Sequence, residues 1–103
     1  MFLGHEKDCV EEKVIEGVTR KVLSTGEMIQ VFQMKMKGGT PVPEHAHSNE
    51  QAGYMIKGRF QVNIGGVEGM LEKGHYFRIP GNTPHSGFVH EDTIIIDIYS
   101  PPR

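Results

Sequence analysis

The chain has 103 residues, with 13 acidic and 11 basic side chains and a single cysteine, Cys9. This length suits one domain, residues 1–103, and the net charge of −2 gives no reason to expect a nucleic acid partner. One cysteine excludes an internal disulfide and fits a reducing compartment. No apolar run approaches the roughly 18 residues of a membrane span. We therefore expect a cytoplasmic protein with no membrane contact.

The N-terminal segment, residues 1–16, is polar and poorly patterned, and only residues 9–15 could form a short helical turn. We expect this arm to cover a sheet edge in its own or a neighbouring subunit, which predicts a homodimer. Farther along, residues 31–37 and 60–64 alternate apolar and polar side chains, as half-buried strands do. Residues 93–99 are β-branched and mostly apolar, which is typical of a strand covered on both faces.

Short turns rich in glycine separate these segments, at residues 38–39, 57–58, 65–66, 73–74 and 81–82. Thirteen glycines and six prolines at such spacing leave little room for helices. About nine to eleven short strands in one domain predict a sandwich or a small barrel. The expected fold class is therefore all-β, a single antiparallel β-barrel with little or no helix.

Histidines are placed where they could hold a metal ion. His45 and His47 are one residue apart, and alternate residues of a strand point to the same face. A third histidine, His85, and an amide oxygen from Gln51 could complete the pocket. Four neutral ligands would leave the charge of a divalent transition metal ion (Zn, Ni, Fe, Mn or Cu) uncompensated, which favours a carboxylate or enolate ligand. Open coordination positions are typical of a catalytic site.

The spacing of these residues resembles the two signature motifs of the cupin superfamily, which together cover residues 39–85. The resemblance implies a small antiparallel jelly-roll barrel with its metal ion in the barrel mouth. Gln51 occupies the slot of the usual glutamate ligand, and Glu50 is adjacent to it. Strand alternation turns Glu50 away from the pocket if Gln51 faces it. Two smaller departures from the motif are Asn82 for glycine and Val89 for asparagine.

A narrower resemblance, to the pectin-degradation cupins, covers almost the whole chain through residues 17–23, 45–51, 64–66 and 97–103. That family converts 4,5-unsaturated monouronates to linear keto sugar acids. The resemblance implies that Asp97 is the catalytic acid and base, and that the metal ligands are His45, His47, Gln51 and His85. Asn49 stands where the family has a histidine, and Gly53 and Arg78 also differ from common family residues.

Asp97 interrupts an isoleucine-rich segment, and a carboxylate on a covered strand needs a partner or a function. Its face also carries Ile95 and Tyr99, whereas the isoleucines at 94, 96 and 98 share the other face. If those three isoleucines fill the core, Asp97 faces outward or into a groove between subunits. If the barrel mouth is open at this height, Asp97 lies near the ion and can move a proton.

Cations should hold the carboxylate of a small-molecule or sugar-acid substrate. The candidate cations are Arg59, Arg78 and Arg103, and Arg20 is a weaker one, while Tyr54 and Tyr99 could supply hydroxyl contacts. Two other functions remain open for the same pocket. The first is a non-catalytic module that binds a small molecule or a metal. The second is an iron-dependent dioxygenase, because three histidines also suit ferrous iron with open positions.

Overall fold

The computed structural model describes residues 2–103, of which 65% lie in strands and 3% in a helical turn. The turn is a single 3₁₀ element, Glu6–Asp8. The eight strands of this range are β1 (Glu11–Ile15), β2 (Val18–Thr25), β3 (Gln30–Met36), β4 (Pro41–His45), β5 (Glu50–Ile64), β6 (Val67–Glu72), β7 (Tyr76–Ile79) and β8 (His85–Ser100). The strands form one antiparallel sheet in a cupin jelly roll, which confirms the predicted fold class.

The strands are fewer and longer than the glycine spacing predicts, because β5 and β8 contain 15 and 16 residues. Gly58, predicted as a turn, is instead a bend inside β5. Its φ of 106° favours glycine, and a Cβ there would lie 2.6 Å from the carbonyl oxygen of Asp92. Register shifts between Met55 and Phe60 accompany this bend. The helical turn suggested for residues 9–15 is also wrong, because β1 occupies most of that segment.

The sheet has the order β1-β2-β3-β8-β5-β6, with β4 added on β8 and β7 added on β5. The first part of β8 pairs with β4, and its second part pairs with β3. Both parts of β8 also pair with β5, which runs antiparallel to it through the bend. These two long strands therefore belong to both layers of the barrel, and the layers enclose the core.

Strand alternation decides which side chains fill that core. Met55, Phe60, Val89 and Ile95 of the two long strands are all buried in one apolar cluster. The turn between β5 and β6 is the predicted pair Gly65-Gly66, whose φ angles of 58° and 91° suit a tight hairpin turn. Such a turn fixes the register of the hairpin, and register fixes which face is buried.

The N-terminal arm forms the outer edge of the sheet. Strand β1 pairs with β2 and has no second strand partner among residues 2–103, and its five residues are all exposed. Phe2, Leu3 and Val10 of the same arm are also exposed. The predicted arm includes Met1, which lies outside the described residues, and its contact with a second subunit stays a prediction. Among residues 2–103, no helix is long and apolar enough to cross a membrane.

Candidate metal centre

Three histidines meet in the barrel. His45 ends β4 and lies opposite His85, the first residue of β8, in the pairing of those strands. The ring centroids of these two side chains are 4.1 Å apart, and the His47 ring lies 5.0 Å from that of His85. One possible ligand atom from each of the three lies within 4.8 Å of the others. Strand β4 ends at His45, so a loop rather than a strand carries His47 to the cluster.

Backbone carbonyl groups hold the three imidazole rings in one orientation. The Nδ1 atoms of His45, His47 and His85 lie 2.9, 3.0 and 2.8 Å from the carbonyl oxygens of Pro43, Asn49 and Thr83. A carbonyl oxygen only accepts, so each neutral ring donates its Nδ1 proton and keeps an Nε2 lone pair. Metal-binding histidines are supported by contacts of this kind.

The Nε2 atoms of the cluster fit a bound cation. His85 is 6% exposed, and its Nε2 is buried without a hydrogen-bond partner. The Nε2 of His47 faces the Oε1 of Gln51 at 3.1 Å, which brings two acceptors together in the tautomer described above. A cation would satisfy all these lone pairs, and imidazole with an amide oxygen suits a divalent transition metal. Burial also lowers the pKa of His85 below 6.5, with smaller contributions from the charges of His45 and His47.

Gln51 connects the histidines to Asp97. Its Nε2 donates to the Oδ1 of Asp97 at 3.0 Å, and this contact directs its Oε1 toward His47. Gln51 faces inward, whereas Glu50 is exposed. The outward side chain of Glu50 accepts a hydrogen bond from Arg78 at 3.0 Å instead. Gln51, and not its acidic neighbour, is therefore the fourth side chain beside the cluster.

Asp97 faces the interior of the barrel together with Ile95 and Tyr99, and all three are buried. The isoleucines at 94, 96 and 98 are half-buried on the other face, so of the two predicted arrangements the structure adopts the one with Asp97 inside. Burial raises the pKa of Asp97 from 3.8 to about 7, although the hydrogen bond from Gln51 and the charge of Arg103 lower it. A carboxyl group with such a pKa can hold or release a proton near neutral pH.

Arg103 lies beside these groups. Its guanidinium is 5.2 Å from the centroid of the Tyr99 ring. The backbone around it is held by two side chains, because Arg103 N donates to Gln30 Oε1 at 2.9 Å and Asn49 Nδ2 donates to the carbonyl of Pro101 at 2.6 Å. Burial, with the charge of Asp97, raises the pKa of Tyr99 to about 12, so its hydroxyl group stays protonated.

The other predicted substrate contacts lie on the outside of the barrel. Arg59 is exposed and 3.7 Å from a carboxylate oxygen of Glu72, and exposed Arg78 pairs with Glu50. Tyr54 is 49% exposed, because it follows Gly53 on β5 and so points to the outer face. None of these three side chains lines the cavity next to the histidines. Their contact with a substrate remains a prediction that a single protomer does not support.

A cavity of about 360 Å³ adjoins the candidate metal centre. Its polar lining residues include His45, Gln51, His85, Asp97 and Arg103, and most of the rest of its wall is apolar. Arg20, the weaker candidate from the sequence, also lines it. Strand alternation in β2 could have indicated that Arg20 faces the cavity, because Arg20 points to the same face as the buried Val18.

The fold and the histidine cluster define a metal-binding cupin, and comparison with known proteins agrees. The cupin domain family matches residues 32–99, and the chain belongs to that family. KdgF from Halomonas sp. is 28% identical, with a TM-score of 0.90 over 96% of this chain and 92% of that chain. An RmlC-like cupin from Shewanella frigidimarina is 26% identical, with a TM-score of 0.94 over 100% and 93% of the two chains.

One curated protein also matches by sequence. Quercetin 2,3-dioxygenase from Bacillus subtilis (strain 168) is 30% identical over 64 residues, or 61% of this chain. The chain spans about a fifth of that relative, since the match covers 19% of its length. The family match shows a cupin, and the three-histidine cluster supplies its candidate site for a divalent metal ion.

Proposed function

We propose that this protein is a metal-dependent isomerase of a small unsaturated acid, and that its substrate is a 4,5-unsaturated monouronate. The observation that carries the proposal is the buried carboxyl group of Asp97, hydrogen-bonded to Gln51 beside the three histidines. Buried carboxyl groups of raised pKa in a cavity are common at sites of acid–base catalysis. The likeness to KdgF and the resemblance to pectin-degradation cupins support this substrate class.

The reaction needs proton transfers and no oxidant. The hydroxyl proton at C1 leaves, the bond between C1 and the ring oxygen breaks, and C4 gains a proton as the C5 oxygen becomes a ketone. Asp97 would carry the proton, and the guanidinium of Arg103 would bind the substrate carboxylate. Tyr99 would donate a hydrogen bond from its protonated hydroxyl group. A divalent ion on His45, His47, Gln51 and His85 would supply Lewis acidity toward a substrate oxygen.

The test follows the ultraviolet absorbance of the conjugated double bond in freshly prepared unsaturated monouronates. We expect the purified protein to accelerate its loss, and a chelator to abolish the acceleration. Asp97→Asn should slow turnover by roughly 10²–10⁴-fold, the usual contribution of a general acid or base, with the metal content unchanged. If protein that holds its metal did not accelerate the loss of absorbance, the uronate substrate would be rejected. Full activity of Asp97→Asn would reject the acid–base role.

An iron-dependent dioxygenase is the second candidate, and the match to quercetin 2,3-dioxygenase favours it. Three histidines with open positions suit ferrous iron. This function predicts oxygen consumption and a preference for iron over zinc, nickel or manganese, which an oxygen electrode measures. Ketonisation under anaerobic conditions with any of these ions would favour the isomerase.

We also infer that the protein is a homodimer joined through its N-terminal arm. Phe2, Leu3 and Val10 are 103%, 86% and 80% exposed, and β1 offers a sheet edge next to them. Large exposed apolar residues beside a free edge favour association. Light scattering should therefore give twice the mass of the chain, and Leu3→Asp should shift it toward the monomer. A monomeric wild-type protein would contradict the inference.

A further inference from the structure

The cavity is polar next to the histidines and apolar elsewhere. Its apolar wall comes from β3, β4, β5 and β7, through Met36, Val42, Phe60, Val62, Ile64 and Phe77. Phe60 and Val62 belong to the core cluster and are 7% and 9% exposed. With about 360 Å³, the cavity falls in the range of roughly 300–1,000 Å³ that holds small organic ligands. The part of a ligand that reaches this wall must therefore suit a largely hydrocarbon surface.

This wall offers few partners for the hydroxyl groups of a sugar. A buried hydroxyl group that loses water without gaining a hydrogen bond destabilises the complex. Apolar atoms, in contrast, gain by leaving water for such a surface. Among the residues that line the cavity, Ser86 carries the one aliphatic hydroxyl group. The part of a ligand that contacts this wall should therefore be apolar, and the hydroxyl groups of a sugar acid would have to lie at the polar end of the cavity.

Arg20 brings a positive charge to the same cavity. Its guanidinium carbon lies 5.0 Å from the centroid of the Phe32 ring, and its Nε is buried without a hydrogen-bond partner. The nearest carboxylate oxygen, from the half-exposed side chain of Glu12, is 3.6 Å away, too far for a hydrogen bond. A guanidinium held on an aromatic ring and incompletely paired is suited to bind a planar carboxylate.

We propose that the cavity also binds carboxylic acids with an aromatic body, more tightly than saturated sugar acids, with Arg20 as the side chain that recognises their carboxylate, whereas Arg103 is the proposed contact for the carboxylate of a uronate. The aromatic ring would occupy the space between Phe60, Val62 and Phe77. Among reactive compounds, this points to the enols of 3-aryl-2-oxo acids, which become ketones when the enol oxygen loses a proton and C3 gains one. Only that reactive step rests on the proposed isomerase function. Selective binding does not.

The test is calorimetric titration of the purified, metal-containing protein with two unreactive acids, 3-phenylpropionate and galacturonate. We expect 3-phenylpropionate to bind at least roughly tenfold more tightly than galacturonate, because its ring buries apolar surface against the wall. Val62→Thr adds a hydroxyl group to the wall at nearly constant shape and should weaken that binding about fivefold or more. Its control is Val31→Thr, since Val31 does not line the cavity.

The charge is tested separately by Arg20→Gln, at a half-buried position. Its control is Lys35→Gln, because Lys35 forms a similar 3.6 Å ion pair with Glu11 outside the cavity. We expect Arg20→Gln to weaken the binding of 3-phenylpropionate by roughly tenfold, because a charged hydrogen bond is lost. Lys35→Gln should leave this binding unchanged.

The proposal would be overturned if galacturonate bound as tightly as 3-phenylpropionate. It would also be overturned if each variant and its control had equal effects on binding. Turnover of unsaturated uronates without any binding of 3-phenylpropionate would overturn this proposal and leave the isomerase function standing. The expected binding pattern in a protein inactive on uronates would support this proposal and reject the uronate substrate.

Discussion

The ends and the middles of the two long strands differ sharply in chemistry. The ends of β8 carry His85 and Asp97 to the metal centre, and Gln51 lies near one end of β5. The middles of the same strands carry Met55, Phe60, Val89 and Ile95 in the apolar core. The two strands are continuous through a bend, so one folded ribbon builds both regions. We therefore expect changes at the ends to act mainly on metal binding, and changes in the middle to act mainly on the stability of the fold.

The largest effect that separates the two regions should come from His85→Ala. We expect metal affinity to fall by more than the roughly 10–100-fold typical of losing a supporting hydrogen bond, because a ligand itself is lost. Metal content after dialysis measures this. His75→Ala is the control, since its exposed ring lies outside the cluster. Equal metal content in both variants would exclude His85 as a ligand.

The core counterpart is Met55→Ala, at a side chain that is 0% exposed. Truncation of a buried methionine should lower the free energy of unfolding by about 2–5 kcal/mol, since it removes apolar burial and leaves a cavity. Denaturant unfolding measures the change. The adjacent Ile56→Ala, on the outer face and 42% exposed, should cost about 1 kcal/mol or less. The folded Met55→Ala protein should still bind one metal ion, and a loss of stoichiometry would contradict the separation.

The buried carboxyl group of Asp97, near one end of β8, should make the stability of chelator-treated protein depend on pH. The pKa of Asp97 rises from 3.8 to about 7 on folding, so between these values the native state binds more protons than the unfolded state. The stabilisation is complete below the unfolded pKa and is lost as pH rises through the folded pKa. The loss should be on the order of a few kcal/mol.

Denaturant unfolding at several pH values compares the wild type with Asp97→Asn. The variant should lack the decline between about pH 4 and pH 7, because an amide does not titrate. Parallel curves for the two proteins would show that Asp97 does not titrate in this way.

The smallest effect should come from Glu50→Gln, on the outer face. Its exposed ion pair with Arg78 contributes only about 0.2–1 kcal/mol to stability. Metal content should not change, because Gln51 and not Glu50 faces the histidines. Gln51→Ala is the matching change on the inner face and should weaken metal binding. The reverse ranking of these two variants would make Glu50 the ligand.

Much of this arrangement was predictable from the sequence. The spacing of His45, His47 and His85 predicted one cluster, and the strand period predicted the all-β fold, which the structure confirms. Alternation also limited Asp97 to two faces, but only long-range pairing decides which face is inside. The bend at Gly58 was read as a turn because local sequence does not distinguish a bend in a strand from the end of one. Likewise, the local sequence does not distinguish Arg78, which pairs with Glu50 on the outer face, from Arg103, which lines the cavity.

The distance along the chain between the candidate ligands has a thermodynamic consequence. Residues 45–51 and His85 come together only when the folded ribbon of β5 and β8 is complete, so an unfolded chain offers no preformed site. An ion that binds only the native state adds a free energy of RT ln(1 + [L]/Kd) to folding, about 2.7 kcal/mol at a hundred times Kd. The metal supply of the cell would then set the fraction of chains that are folded, in addition to whether the site can act.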